Sequence, residues 1–191
     1  MTLSLEMKNL NPISSFENEY CLTTEIISLL PKHKVYVEPF GGSGQLVTAK
    51  NPSKLEVYND INGNLVNNLL ATRKQGSLTS GTERWRQVMI ECVDFRRIFE
   101  IYDSSETLFF IDPPMEGKCN FSYKDHVELA LILRTIKGKA ILTCYESDLM
   151  NSLYNGWYRI NIKRNESVSY MYEKQNKLIL VNYRDEQLSL F

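Results

Sequence analysis

Thr107-Leu-Phe-Phe-Ile-Asp112-Pro113-Pro114-Met115 is the stretch on which the reading of this chain turns. An uncharged apolar run that ends in an acid and two prolines reads as a buried strand with a sharp stop. Proline has no N–H for a ladder and holds φ at about −65°. The residue ahead of a proline is pushed toward extended conformations. Asp112 is therefore expected at the carboxyl end of a strand, on a stiff turn, beside carbonyls that the sheet leaves without partners. In open α/β sheets ligands bind at that edge. A rigid pair of acceptors there suits an amine gripped through its two N–H groups. Taken alone, the tripeptide also fits an ordinary exit from a strand.

An upstream stretch sharpens the reading. Val35-Tyr-Val-Glu38-Pro-Phe40-Gly-Gly42-Ser-Gly44 is an apolar strand entering a glycine-rich turn, and Gln45 to Lys50 can open a helix. Glycines there keep the turn tight and let a ligand approach the backbone. Leu55-Glu-Val-Tyr-Asn-Asp60 is a second short strand ending in an acid. An acid in that place commonly holds a pair of ribose hydroxyls. Strand, glycine loop, helix, strand, acid and a later strand ending in Asp-Pro-Pro form an ordered set, far more specific than a glycine loop by itself.

The remaining sequence alternates in the same manner. Helices are expected over Thr23 to Leu30, stopping at Pro31, and over Asn62 to Arg73, where Leu65, Val66, Leu69 and Leu70 have helical spacing. Gln75 to Thr82 reads as a Gly/Ser/Thr-rich loop. Glu83 to Glu91 reads as a short helix leading to Cys92-Val-Asp94-Phe95, and Arg96 to Tyr102 as the next. Lys124 to Ile136 is expected to be helical, Lys139 to Cys144 a strand. Tyr158 to Ile162 and Lys177 to Asn182 read as late strands, with Ser167 to Tyr172 a further candidate. This order predicts one α/β domain over residues 1–183, with a mostly parallel, doubly wound sheet and an antiparallel C-terminal edge hairpin. Residues 184–191 form a tail.

Composition agrees. The 191 residues suffice for a sizeable core, and 43% hydrophobic with 24% charged residues is ordinary for a soluble globular chain. No apolar run approaches the roughly 20 residues of a membrane span. The start, with Glu6, Lys8 and Asn9, does not read as a secretory signal. Cys21, Cys92, Cys119 and Cys144 lack C-x-x-C spacing, and His33 and His126 are the only histidines, so no zinc framework is expected. Isolated thiols fit a reducing cytoplasm.

Glu38-Pro-Phe-Gly-Gly-Ser-Gly44, Asn59-Asp-Ile-Asn62 and Asp112-Pro-Pro114 together resemble the Dam-type (alpha-group) DNA adenine-N6 methyltransferases, which use S-adenosyl-L-methionine. The resemblance continues through Tyr102-Asp103, Asp125-His126, Ile136-Lys-Gly-Lys139 and Gly156-Trp157, and covers about residues 26 to 183. It implies a Rossmann-like S-adenosylmethionine-dependent methyltransferase fold. It also implies roles. Glu38, Phe40, Gly42 and Gly44 would form the cofactor loop, Asp60 would take the ribose hydroxyls, and Ile61 would lie on the adenine face. Asp94 would accept from the cofactor's adenine amine, with Phe95 beside the ring. Ile61 and Phe95 read equally well as core residues. The target adenine would be flipped out of its duplex. Asp112 and the Pro113 carbonyl would accept its amine hydrogens, with Pro114 and Met115 completing the catalytic motif. The nitrogen lone pair then faces the sulfonium methyl for in-line displacement, and positioning and electrostatics supply most of the rate.

Three departures from the family stand out. The family's Asp-Pro-Pro-Tyr is here Asp-Pro-Pro-Met115, which removes the ring that stacks on the flipped base; Phe121 and Tyr123 are candidates to replace it. A Gly-Gly-Lys motif near the cofactor's methionine end is replaced by Glu17-Asn18-Glu19. About fifty residues separate Asp60 from Asp112, leaving a reduced target-recognition segment around 74–92. The net charge of −1 supplies no broad basic footprint for DNA. Arg84 and Arg86, Arg96 and Arg97, and Lys163 and Arg164 read first as solvated faces. Two readings follow: an adenine methyltransferase of DNA methylation or restriction-modification type with weak intrinsic DNA affinity, or a catalytically degenerate relative serving as a binding, regulatory or heterodimer subunit. Methylation of a cytosine amine, or of RNA, is a third. Finally, Gln187-Leu188-Ser189-Leu190-Phe191 resembles the short peptide by which bacterial replication and repair proteins dock on the sliding clamp.

Overall fold

The computed structural model describes residues 23–75, 80–160 and 177–184. Seven strands form a single sheet in the order β3-β2-β1-β4-β5-β7-β6. They are β1 (Val35–Glu38), β2 (Leu55–Asn59), β3 (Met89–Glu91), β4 (Thr107–Ile111), β5 (Lys139–Tyr145), β6 (Tyr158–Ile160) and β7 (Lys177–Val181). The first five pair with one another in parallel. β7 runs antiparallel to β5, and β6 antiparallel to β7. Helices are α1 (residues 23–28), α2 (Gln45–Ala49), α3 (Gly63–Gln75), α4 (Ser80–Trp85), α5 (Phe95–Tyr102), α6 (Tyr123–Leu133) and α7 (Asp148–Leu153).

β4 reads as an almost unbroken apolar run because both faces of the sheet are covered at its centre. All five residues of β4 are buried. Phe109 and Ile111 point to one face with Val37, Val57 and Leu142, and meet α5, α6 and α7 through Phe99, Leu129 and Met150. Leu108 and Phe110 point to the other with Tyr36, Tyr58 and Ile141, and meet α1 to α4 through Ile26, Val47, Val66 and Trp85. The chain runs outward from β1 to β3, then returns to place β4 on the other side of β1. That reversal opens a crevice beyond the carboxyl ends of β1 and β4.

Several boundaries differ from expectation. The helix expected over Glu83 to Glu91 ends at Trp85, and Met89–Glu91 instead forms edge strand β3 along β2. Phe95 opens α5 because Asp94 caps it, accepting the amide of Arg96. α7 was not anticipated; Ser147 caps it by accepting the amide of Met150. Arg84 is no solvated face. Its side chain is 12% exposed and bonds Glu56 at 2.5 Å, while Lys50 bonds the other oxygen of the same carboxylate at 2.5 Å. The candidate strand over Ser167 to Tyr172 and the segment Gln187 to Phe191 lie outside the described residues. Among the described residues, no helix is long and apolar enough to cross a membrane.

Candidate active site

A cleft of 960 Å³ lies at the carboxyl ends of β1, β2 and β4. Its first wall is the loop after β1. Tyr58 underlies this loop: its hydroxyl donates to the carbonyl of Gly42 at 2.6 Å, and a Cβ on Gly41 would lie 2.0 Å from the Tyr58 ring. Gly42 has φ +50 and open space where a Cβ would point, so its bare backbone faces the cleft. Asp60, at the end of β2, spans the loop. One carboxylate oxygen accepts the amide of Gly42 at 2.9 Å and the other the amide of Asn62 at 2.8 Å. Buried Asn59 joins two loops through the carbonyls of Pro39 (2.9 Å) and Val93 (3.0 Å) and the amide of Val93 (2.9 Å).

Glu38 borders the cleft but is 2% exposed. Its carboxyl accepts from the Tyr36 hydroxyl at 2.8 Å, and burial pushes its pKa up to about 8 despite that bond and one from the Val47 amide. It serves the loop from beneath. Gly44 does not line the cleft: it is left-handed, precedes α2 and packs against Trp85. Phe40 and Phe95 do line it, with ring centroids 5.2 Å apart. Ile61 is 66% exposed at its rim.

Asp94 also borders the cleft, with both oxygens engaged by the Arg96 guanidinium at 3.1 and 2.9 Å. Arg96 further bonds Asp125 at 2.7 Å and Glu128 at 2.7 Å. Partial burial works against its charge, but these carboxylates outweigh it and hold the guanidinium above its ordinary pKa. Bonds from Ser122 and Arg96 lower the Asp125 pKa to about 2. This pair of loops is locked by charge.

The far wall is Asp112-Pro113-Pro114-Met115, leaving β4 into the same cleft. Asp112 is 44% exposed. Thr143 of β5 donates to one of its oxygens at 2.5 Å, and Lys177 of β7 approaches the other at 3.5 Å. Met115 is 46% exposed. Of its two candidate substitutes, Phe121 is 7% exposed and anchors the following loop between Phe40 and His126, whereas Tyr123 is 56% exposed at the start of α6. Tyr145, at the end of β5, lines the cleft beside them. Thr143, Tyr145 and Lys177 escaped the sequence reading. The signals present were a polar residue inside the apolar run of β5 and a lysine at the head of Lys-Leu-Ile-Leu-Val.

Comparisons with known proteins bear on this arrangement. Residues 20–83, the glycine loop and Asp60 among them, match the model of the D12 class N6 adenine-specific DNA methyltransferases. The type II methyltransferase M.CviBI of Paramecium bursaria Chlorella virus NC1A is 33% identical over a stretch covering 33% of this chain and 26% of that protein. The matched stretch thus spans about a quarter of that relative's length. Among solved structures, a conserved hypothetical protein of Streptococcus pyogenes aligns over 85% of this chain and 94% of its own, with TM-score 0.56 and 13% identity. Magnesium protoporphyrin IX methyltransferase from Synechocystis PCC 6803, solved with bound SAM, aligns over 95% and 86%, with TM-score 0.54 and 10% identity. A dimethyladenosine transferase from Plasmodium falciparum aligns over 90% and 64%, with TM-score 0.54 and 13% identity. At such identity these likenesses establish the fold, which is Rossmann-like and of the methyltransferase type. The family match and the match to the viral relative each cover about a third of this chain.

Proposed function

We propose that this chain, whose residues 20–83 carry the D12 adenine-methyltransferase pattern, binds S-adenosylmethionine in the cleft and methylates the exocyclic amine of adenine in DNA. The observation that carries the reading is that Asp60, held across the glycine loop, and Asp112, held at the end of β4, open on one cleft at the switch point of the sheet. The residues fit the cofactor. The bare backbone at Gly42 leaves room for close approach, and each Asp60 oxygen retains a lone pair for a ribose hydroxyl. Phe40, Ile61 and Phe95 offer apolar surface to an adenine ring, and Asp94 an acceptor for its amine. When bound, the cofactor supplies an electrophilic methyl group on a sulfonium.

Asp112 and the Pro113 carbonyl then orient the target amine by accepting its two hydrogens. The amine nitrogen would take the methyl group that the bound cofactor supplies, the sulfonium leaving as a neutral thioether, and the surplus amine proton would leave through the Asp112 carboxylate. Pro114 stiffens the turn. Met115 and Tyr145 face the base, a polarizable contact and a ring in the place of the family's tyrosine. Catalysis on this account is positioning plus electrostatics. The 74–92 segment is the part of the chain we assign to target contact, and its small size accords with weak intrinsic DNA affinity. Cys92, Cys119 and Cys144 carry free thiols, which supports a cytoplasmic location.

The segment Gln187-Leu188-Ser189-Leu190-Phe191 supports a second contact, with a bacterial sliding clamp. Leu190 and Phe191 would enter a hydrophobic pocket, with Gln187 hydrogen-bonding at the other end. Tethering to a ring around DNA raises local DNA concentration without new DNA contacts. The isolated peptide should bind a clamp at micromolar affinity and lose binding when Leu190 and Phe191 become alanine.

Isothermal calorimetry with S-adenosylmethionine and its demethylated product tests the main reading. Saturable binding of both is expected. Absence of heat and of thermal stabilisation at millimolar ligand would reject it.

A further inference from the structure

Lys177 is a charged residue that the cofactor and the catalytic motif leave unused. It heads β7, paired in register with Tyr145 of β5, and its side chain is 25% exposed. Its ammonium lies 3.5 Å from Asp112 Oδ2, while Thr143 occupies Oδ1 at 2.5 Å. Asp112, Tyr145 and Lys177 all line the cleft wall that the target base would face, with Thr143 buried behind Asp112. Arg96, another cation on the cleft, is taken up by Asp94, Asp125 and Glu128.

An anionic acceptor and a cationic donor this close together address adjacent positions on one ring. Adenine carries an amine at C6 and an acceptor nitrogen at N1 of the same carbon's neighbourhood; cytosine repeats the pattern at N4 and N3. Guanine and thymine present a carbonyl and a ring N–H instead, which would set oxygen against carboxylate and N–H against ammonium. Mismatched polarity of this kind rejects a base more strongly than shape does.

We propose that Asp112 and Lys177 together read the amidine edge of the flipped base, Asp112 accepting from the amine and Lys177 donating to the ring nitrogen beside it. The proposal rests on the base-methylating reading above and adds its specificity-determining residue. Binding of the base exchanges the long contact between ammonium and carboxylate for one hydrogen bond from each. A cation at the ring nitrogen draws electron density away from the amine. Lys177 therefore contributes to holding and choosing the base more than to the chemical step, and its loss falls on KM rather than kcat.

The test pairs a side-chain deletion with an atom deletion. Wild type, Lys177→Met and Lys177→Arg are given oligo(dA), the same strand built from 1-deazaadenine, and one built from 7-deazaadenine. Strand affinity is measured in the presence of the demethylated cofactor, and methyl transfer with the labelled donor. For wild type, 1-deazaadenine should weaken binding and raise KM by about tenfold or more, the scale of one charged hydrogen bond; 7-deazaadenine should do neither. Lys177→Met should show that loss already on oligo(dA) and no further loss with 1-deazaadenine, and Lys177→Arg should recover part of it. An equal 1-deaza penalty in wild type and Lys177→Met, or a penalty from 7-deaza instead, would overturn the proposal while leaving the methylation reading standing. A wild type that binds cofactor but transfers no methyl group to any strand would overturn the methylation reading, and this inference with it.

Discussion

The Thr143 hydroxyl donates to Asp112 Oδ1 at 2.5 Å, across the boundary between β5 and β4. The parallel register pairs Ile111 with Leu142, which brings the next residue of each strand side by side. One carboxylate oxygen is thereby fixed, and the other, which Lys177 approaches at 3.5 Å, is the one that would meet the target amine. Thr143→Val keeps shape and burial but removes the donor. On the account above it should lower kcat about tenfold, by releasing the carboxylate to rotate, with cofactor affinity unchanged. Steady-state kinetics beside calorimetry checks this.

On the resemblance to Dam-type methyltransferases, Met115 takes the position of a stacking tyrosine, and it is 46% exposed at the cleft. Met115→Tyr should raise kcat/KM, since stacking on a base contributes about 1–3 kcal/mol. Competition assays on DNA before and after the substitution measure the gain; no change would mean that Tyr145 already supplies the stacking surface.

How far the sequence carried depends on how local each determinant is. Asp112, Asp60 and the glycine loop are set by neighbours a few residues away, through proline stiffness, a tight turn and the end of an apolar run. All of them reach one cleft. Lys177 and Thr143 meet Asp112 from positions 65 and 31 residues distant, and only strand register puts them there. β3 was hidden because its three residues, one exposed and two half-buried, are too few to show a period. Arg84 was misread because its partner Glu56 lies on a strand, in a sequence that gives no sign of burial. Phe95 was left open between ligand face and core; it is 6% exposed, packs in the core and also borders the cleft.

Glu38 makes the fold sensitive to pH. Burial raises its carboxyl to about 8, so the folded chain binds a proton that the unfolded chain, at the ordinary carboxylate value of 4.5, has released. The resulting stability is full below about pH 4.5 and declines as pH rises toward 8, with a slope of up to about 1.4 kcal/mol per pH unit from this group. Glu38→Gln, a permanent neutral isostere, should flatten denaturant midpoints measured between those limits.

Glu56 joins Lys50 and Arg84 in a buried triad, with Glu56 and Lys50 side chains each 2% exposed. Removing the carboxylate strands two cations in the core. Glu56→Ala should cost about 3–5 kcal/mol of stability, read as a lower urea midpoint. Because α4 and the loop share Trp85 and Tyr58, 5.2 Å apart, cofactor affinity should fall with it.

The most direct test of the central claim is mass spectrometry of nucleosides from DNA incubated with the protein and S-adenosylmethionine. The account predicts N6-methyladenine from wild type and a loss of at least about a hundredfold for Asp112→Ala, with cofactor binding retained in the variant. A wild-type protein that binds the cofactor yet leaves no N6-methyladenine in DNA, or an Asp112→Ala variant as active as wild type, would contradict it.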